Sequence, residues 1–377
     1  MRSISFQPPE IPEVNFNENF ITDTLHITIA TPMIGGGVEA GEIDFEWPVR
    51  VSSIRGNLRY WWRIINQSRL DDEAKIWGST DSKSKVVVEV TTEFSQVRLR
   101  EHGRNFDFPR YGTEAYALFA AATNEDDIAR EGLKFTLKLV YPKEFQKDVK
   151  LAVSAWVYFG GIGARTRRGC GTLSCTEKLL SLNEVLKAAS GITLWKKLLR
   201  GNPDSMLAWK EPLELYRQYR QDRNPGNGQR PGRSKWPEPD SIRKITGDSD
   251  PRHRTPITSP LPSFPRAALG LPIIFHFVGR GEPKDVQIKP KNSNRMSSPV
   301  ITKALCENGV WYSAVIILPH EHVFEAELEA NNKEINIPKL QGTMYKTVKP
   351  MRGQNDAIAG FEAFIREKDF KKEEVKA

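Results

Sequence analysis

Cysteine is scarce in this chain: Cys170, Cys175 and Cys306 are the only three in 377 residues, and none forms a CxxC pair. A disulfide framework and a cysteine zinc site are therefore excluded, and a reducing, cytoplasmic setting is expected. Long apolar runs are missing too. Nowhere does the sequence sustain the roughly 18 apolar residues of a membrane span. Met1 to Glu13 holds one arginine and no apolar core, so a soluble, unexported protein without a membrane partner is expected. No short-period repeat or low-complexity tract occurs.

What is present is an unusual run, Gly160 to Gly171, with five glycines and three arginines (Arg165, Arg167, Arg168) in twelve residues. Glycine lets a backbone lie flat against an anion, and guanidinium forks grip phosphate oxygens. The run lacks the Gly-Lys-Ser/Thr ending of a mononucleotide loop. Thr166 also follows Gly161 and Gly163 where a dinucleotide fingerprint needs a third glycine. A polyanion is the better guest, and no cofactor is indicated. The overall balance agrees, with 55 Lys plus Arg against 47 Asp plus Glu and a net charge of +8.

The order of elements points to an RNA platform. Thr24 to Ala30 alternates apolar and polar residues as a strand. A helix capped by Ser52 or Ser53 follows, with Ile54, Leu58, Trp61, Trp62 and Ile65 at helical spacing. Strands are expected at 85–91 and 133–141, a helix at 149–159, and a strand at 170–176 after the glycine loop. Strand, helix, two strands, helix, strand is the split βαβ or ferredoxin-like unit, whose open sheet face commonly binds RNA. Later signals, strands at 273–278 and 311–318 and a helix at 357–371, allow a second, decorated copy. At this length two units are expected, 1–182 and 183–377. The fold class is thus α+β, two ferredoxin-like (RRM-like) domains with an insertion at about 217–265 in the second. Nine of the chain's 25 prolines fall between Asn224 and Pro265, so little regular structure is expected there.

Further basic positions add to the loop. Arg55, Arg59 and Arg63 sit four apart on the first helix with no acidic residue between Glu46 and Asp71. Like charges at that spacing repel, and a phosphate chain would neutralise them. Arg217 to Lys235 carries six basic residues against one acid, Asp222, and with its glycines and prolines reads as a pliant basic arm, including Arg223, Arg230, Arg233 and Lys235. Arg266 and Arg295 each stand in turn-rich settings. Metal-independent cleavage of RNA would need an acid and a base. His26, on the first strand, is one candidate, and His320 and His322 lack a third metal ligand. Glu39, Glu42, Asp44 and Glu46 cluster in the loop before the first helix.

The combination of TPMIGGG at 31–37, SSIRGNLRYWWR at 52–63, IWGST at 76–80 and GGIGARTRRGCG at 160–171 resembles the RAMP superfamily of CRISPR effector proteins. More narrowly, DRNPGNGQRPGRSKWPEPDSIR at 222–243, FPRAALGLPI at 264–273 and RMSSPVITK at 295–303 are similar to the first RAMP subunits of type III-B Cmr complexes. The resemblance spans about residues 25–320. It implies two ferredoxin-like domains in a noncatalytic subunit that binds guide and target RNA. Such a subunit sits beside other RAMP subunits, at the end of the ribonucleoprotein that holds the 3′ part of the guide. Carried over, Arg55, Arg59, Arg63, Arg165, Arg167 and Arg168 match positions facing RNA, with Gly161 and Gly163 shaping the loop. Cys170 departs from the aromatic residue that similar loops often carry. Related backbone subunits cut target RNA with a loop aspartate, whose nearest analogue is Asp44, so an endoribonuclease acting through His26 or Asp44 is the alternative.

Overall fold

A computed structural model describes residues 19–37, 43–44, 47–67, 70–92, 112–118, 128–129, 131–201, 203–227 and 232–375. The first half contains β1 (Phe20–Ile29), β2 (Met33–Ile34), α1 (Val51–Asn66), α2 (Leu70–Trp77), β3 (Val87–Thr92) and α3 (Thr113–Leu118), then β4 (Ile128–Ala129), β5 (Leu133–Pro142), α4 (Gln146–Phe159) and β6 (Leu173–Cys175). Its main sheet has the order β3-β5-β1-β6, every neighbour antiparallel. Alternation explains β1: Leu25, Ile27 and Ile29 point into the core while Thr24 and His26 face out. The five apolar residues read at helical spacing in α1 are all buried. The helix begins at Val51 behind Arg50, with no side-chain cap. Ser52 and Ser53 thus lie inside its first turn, because the buried Val49 anchors the chain one step earlier than a serine cap needs.

The second half contains α5 (Leu182–Ala188), β7 (Thr193–Lys197), α6 (Ser205–Arg220), α7 (Glu238–Thr246), β8 (Ile273–Phe275) and β9 (Val286–Pro290), then β10 (Val300–Glu307), β11 (Val310–Ile317), β12 (Leu328–Ala330), β13 (Lys333–Ile335), α8 (Ala357–Arg366) and β14 (Lys371–Lys372). Its main sheet, β10-β11-β7-β14, repeats the order and the antiparallel sense of the first. The segments inserted after α6 and after β11 supply a further antiparallel sheet, β13-β12-β9-β8. The fold is therefore α+β with several antiparallel sheets.

The central sheet explains how the halves join. Ile301 and Leu305 of β10 pack into the first core with α4, whereas Val300 joins the second core and Ala304 packs with Trp209 of α6. A strand covered on both faces reads as a continuous apolar run, which is why β10 shows little alternation. The outer face of the first sheet is exposed and carries Thr22, Thr24, His26 and Lys134, with the exposed Phe20 at one end of β1. The open-platform expectation therefore meets a hydroxyl-rich face, and the aromatic residues Trp61, Trp62 and Phe159 are spent on packing.

The proline-rich stretch holds more order than expected. Helix α7 forms within it, and residues 217–220, read as the start of the pliant basic arm, belong to α6. Pro237 precedes α7, Pro239 sits in its first turn, where a missing N–H costs nothing, and Gly247 ends it with φ 77°. Proline delimits this helix instead of forbidding it.

Candidate nucleic-acid interface

The glycine-arginine loop is built by close backbone contact. The amide of Ile162 donates to the Gly171 carbonyl at 3.0 Å, and that of Ala164 to the Ile34 carbonyl at 2.6 Å. A Cβ on Gly171, whose φ is +63°, would lie 1.9 Å from the Ile162 oxygen, and one on Gly163 would lie 2.7 Å from the Ile34 oxygen. These glycines are required by the loop's own packing against β2, not by an open cradle. Cys170 is fully buried beneath, where burial pushes its thiol up to about 12.

Three arginines leave this loop in different directions. Arg168 is buried: Nη1 donates to the Val300 carbonyl at 2.9 Å and Nη2 to the Tyr216 hydroxyl at 2.8 Å, tying the loop to the second half. Arg220 of α6 reaches the same hydroxyl at 3.2 Å. Burial alone would raise the Tyr216 phenol, but these two guanidiniums outweigh it and hold it below its ordinary value. Arg165, at φ 56°, donates to the Tyr116 carbonyl at 3.1 Å. Arg167 is half-buried and donates to the Tyr60 hydroxyl at 3.0 Å.

These arginines line a cleft of about 1380 Å³ that both halves share. Arg223, Arg233, Arg266 and Arg295, expected from the second-half segments, line it as well. Arg266 is locked to the buried Glu238 at 3.1 Å, and Arg233 pairs with Asp240 at 2.7 Å. Arg167, Arg168, Arg220, Arg223 and Arg295 make no ion pair with a carboxylate among the described residues, and Arg223 and Arg295 are exposed. Arg220, Arg243 and Arg252 also line the cleft and went unnoticed in the sequence, as did Asn57, Tyr60 and Phe277. Arg220 lay within the basic run, but the helix that aims it could not be read there.

Other expected positions lie elsewhere. Arg59 and Arg63 both grip Glu73 of α2, at 2.5 and 2.6 Å, and Glu73 is almost wholly buried. The hydrogen bond from Arg63, working against burial and helped by Arg59, holds the Glu73 carboxyl below its usual range. The like-charge strain is thus relieved inside the protein by an acid outside the interval searched, and neither residue lines the cleft. Arg55 is half-exposed and off the cleft lining, and Lys235 pairs with Asp222 at 2.7 Å. Arg230, Glu39, Glu42 and Glu46 lie outside the described residues.

The catalytic candidates are apart from the cleft. His26 Nδ1 stands 2.6 Å from Glu177, whose carboxyl is drawn down to about 2, burial being overcome by bonds from His26. Asp44 accepts the Trp47 amide at 2.9 Å. His320 Nδ1 bonds the Leu318 carbonyl. Among the described residues no group of three His, Cys, Asp or Glu side chains could hold a metal ion, and no helix is long and apolar enough to cross a membrane.

Comparison with known proteins agrees with the motifs. Residues 26–174 match the RAMP superfamily. A curated relative, CRISPR system Cmr subunit Cmr1-1 of Pyrococcus furiosus, is 31% identical over 140 residues, covering 34% of this chain and 41% of the relative. The matched part thus spans about two fifths of that relative's length. The crystal structure of apo Cmr1 from Pyrococcus furiosus aligns over 93% of this chain and 98% of its own, with 14% identity and a TM-score of 0.51. A cryo-EM structure of type III-B Cmr-beta bound to cognate target RNA contains a chain aligning over 92% of this one and 100% of its own, with 12% identity and a TM-score of 0.42. Residues 26–174 are thus similar to the RAMP superfamily, and the chain as a whole shares its fold with Cmr1 from Pyrococcus furiosus.

Proposed function

We propose that this protein is a noncatalytic RNA-binding subunit of a type III-B CRISPR ribonucleoprotein, helping to hold the 3′ end of the guide RNA and to capture complementary target RNA. The observation that carries this reading is the shared cleft, where arginines without carboxylate partners converge from both halves. Crowded cations of this kind are neutralised by a phosphate chain, whose binding releases counterions. The two four-stranded sheets with the same strand order support two ferredoxin-like units, 1–182 and 183–377, with 217–265 inserted in the second. The likeness to Cmr1 supports assembly with other RAMP subunits in the cytoplasm.

The test is RNA binding by the full chain across salt concentrations, with guide and target oligonucleotides. Replacing Arg167, Arg223 and Arg295 with alanine lowers affinity similarly for all sequences and reduces the salt slope by about 2 to 3. An unchanged slope refutes the role of the cleft. The endoribonuclease reading predicts cleavage that His26→Ala or Asp44→Ala abolishes, and intact RNA after incubation refutes it.

A further inference from the structure

The arginines that line the cleft differ in how far their charge is compensated. On the side of the glycine loop, Arg167, Arg168 and Arg220 have no carboxylate partner among the described residues. Beside His276 and Phe277, Arg243 is neutralised by Asp240 and Glu282 at 2.9 and 2.8 Å and Arg252 by Asp250 at 2.8 Å, whereas Arg295, next to the Leu271–Met296 bridge that leads into β8, has no carboxylate partner among the described residues. The charge of Arg243 and Arg252 is thus spent within the protein.

What that second side offers instead is ring and apolar surface. β8 is the edge strand of its sheet, and the extended chain that continues it sends alternate side chains outward. Ile274 is 53% and Val278 94% exposed, so both offer apolar surface to a partner. Between them His276 has a side chain 69% exposed, its Nδ1 held 2.7 Å from Asp285 so that the ring is fixed in place. Phe277 alternates to the other face, stacked on Phe275 at 6.5 Å and covered by the Arg243 guanidinium 5.2 Å from its ring centre.

We infer that the cleft takes single-stranded RNA in a set orientation, its phosphates toward the glycine loop and its unpaired bases against His276 and Val278. This rests on the RNA-binding reading above and adds which face of the nucleotide meets which wall. Phosphates need uncompensated cations, and bases need π-faces and apolar contact without charge. A duplex keeps its bases stacked on each other and has nothing to give the second wall.

The experiment uses the full chain with single-stranded RNA carrying 2-aminopurine, the same strand in duplex, and an abasic strand. The wild type quenches 2-aminopurine and binds the single strand more tightly than the duplex or abasic strand. The double substitution His276→Ala with Val278→Ser, both on exposed positions, weakens single-strand binding by about fivefold or more, abolishes quenching and leaves the salt slope unchanged. Equal binding of abasic and normal strands by the wild type, or unaltered quenching in the variant, overturns the inference while leaving RNA binding intact. Absence of binding to any strand refutes the RNA reading itself.

Discussion

The buried ammonium of Lys303 donates to the Gly160 carbonyl at 2.6 Å, joining β10 of the second half to the first glycine of the arginine loop. It also approaches the Val157 carbonyl at 3.4 Å, so it closes the C-terminal end of α4. Burial pushes the amine down to about 7, since no carboxylate stands beside it to retain the proton.

Stability is therefore expected to rise with pH above neutrality. A folded value near 7 lies below the unfolded value of 10.5, so between them the unfolded chain holds a proton that the native state lacks. The unfolded state then binds more protons, and unfolding becomes harder as pH increases. At about 1.4 kcal/mol per unit the ceiling is about 5 kcal/mol. Urea unfolding from pH 6.5 to 10 measures it; Lys303→Met removes this part of the slope, and a wild-type slope equal to the variant's refutes it.

Glu73→Gln should destabilise the protein by about 2 kcal/mol, because Arg59 and Arg63 then repel over a nearly neutral partner. Both guanidiniums are partly exposed, which keeps the loss below that of a fully buried pair. The Glu73 carboxyl is depressed in the fold, so its contribution is present above its unfolded value of 4.5 and disappears as pH falls through the folded one. Acid unfolding of the two proteins should converge at low pH.

Two glycine substitutions should act in opposite directions. Gly171→Ala puts a methyl against the Ile162 carbonyl at positive φ and should cost more than about 3 kcal/mol. Gly56→Ala lies inside α1 with open space above it, and should stabilise by about 0.5 to 1 kcal/mol. Paired melting curves decide both.

Neighbouring loop arginines should separate into different defects. Arg168→Ala removes the shorter hydrogen bonds to the Val300 carbonyl and the Tyr216 hydroxyl, leaving those from Ser298 and Arg220 at 3.2 Å, and should cost about 2 to 4 kcal/mol of stability. Arg167→Ala should melt within about 0.5 kcal/mol of wild type while lowering the RNA salt slope by about 1. Equal melting of the two variants would contradict the assignment.

Legibility followed the range of the forces involved. The buried stripe of α1 and the alternation of β1 are set by neighbours three or two residues away, and both were readable. The partner of Arg59 and Arg63 was not, since Glu73 reaches them only because α2 folds back on α1. Helix α7 was missed for a related reason: prolines at its start were counted as breakers although that position tolerates them.

The sequence by itself determined that arginines crowd a glycine-rich turn, that no cysteine framework braces the chain, and that strands and helices alternate in the order of a split βαβ unit. Only the tertiary structure decided what each arginine does. Charge on a chain is local, but its compensation is spatial. Arg168 is turned into a buried strut by Val300 and Tyr216, Arg266 is bound by Glu238, and Arg167, Arg223 and Arg295 line the cleft with no carboxylate partner among the described residues.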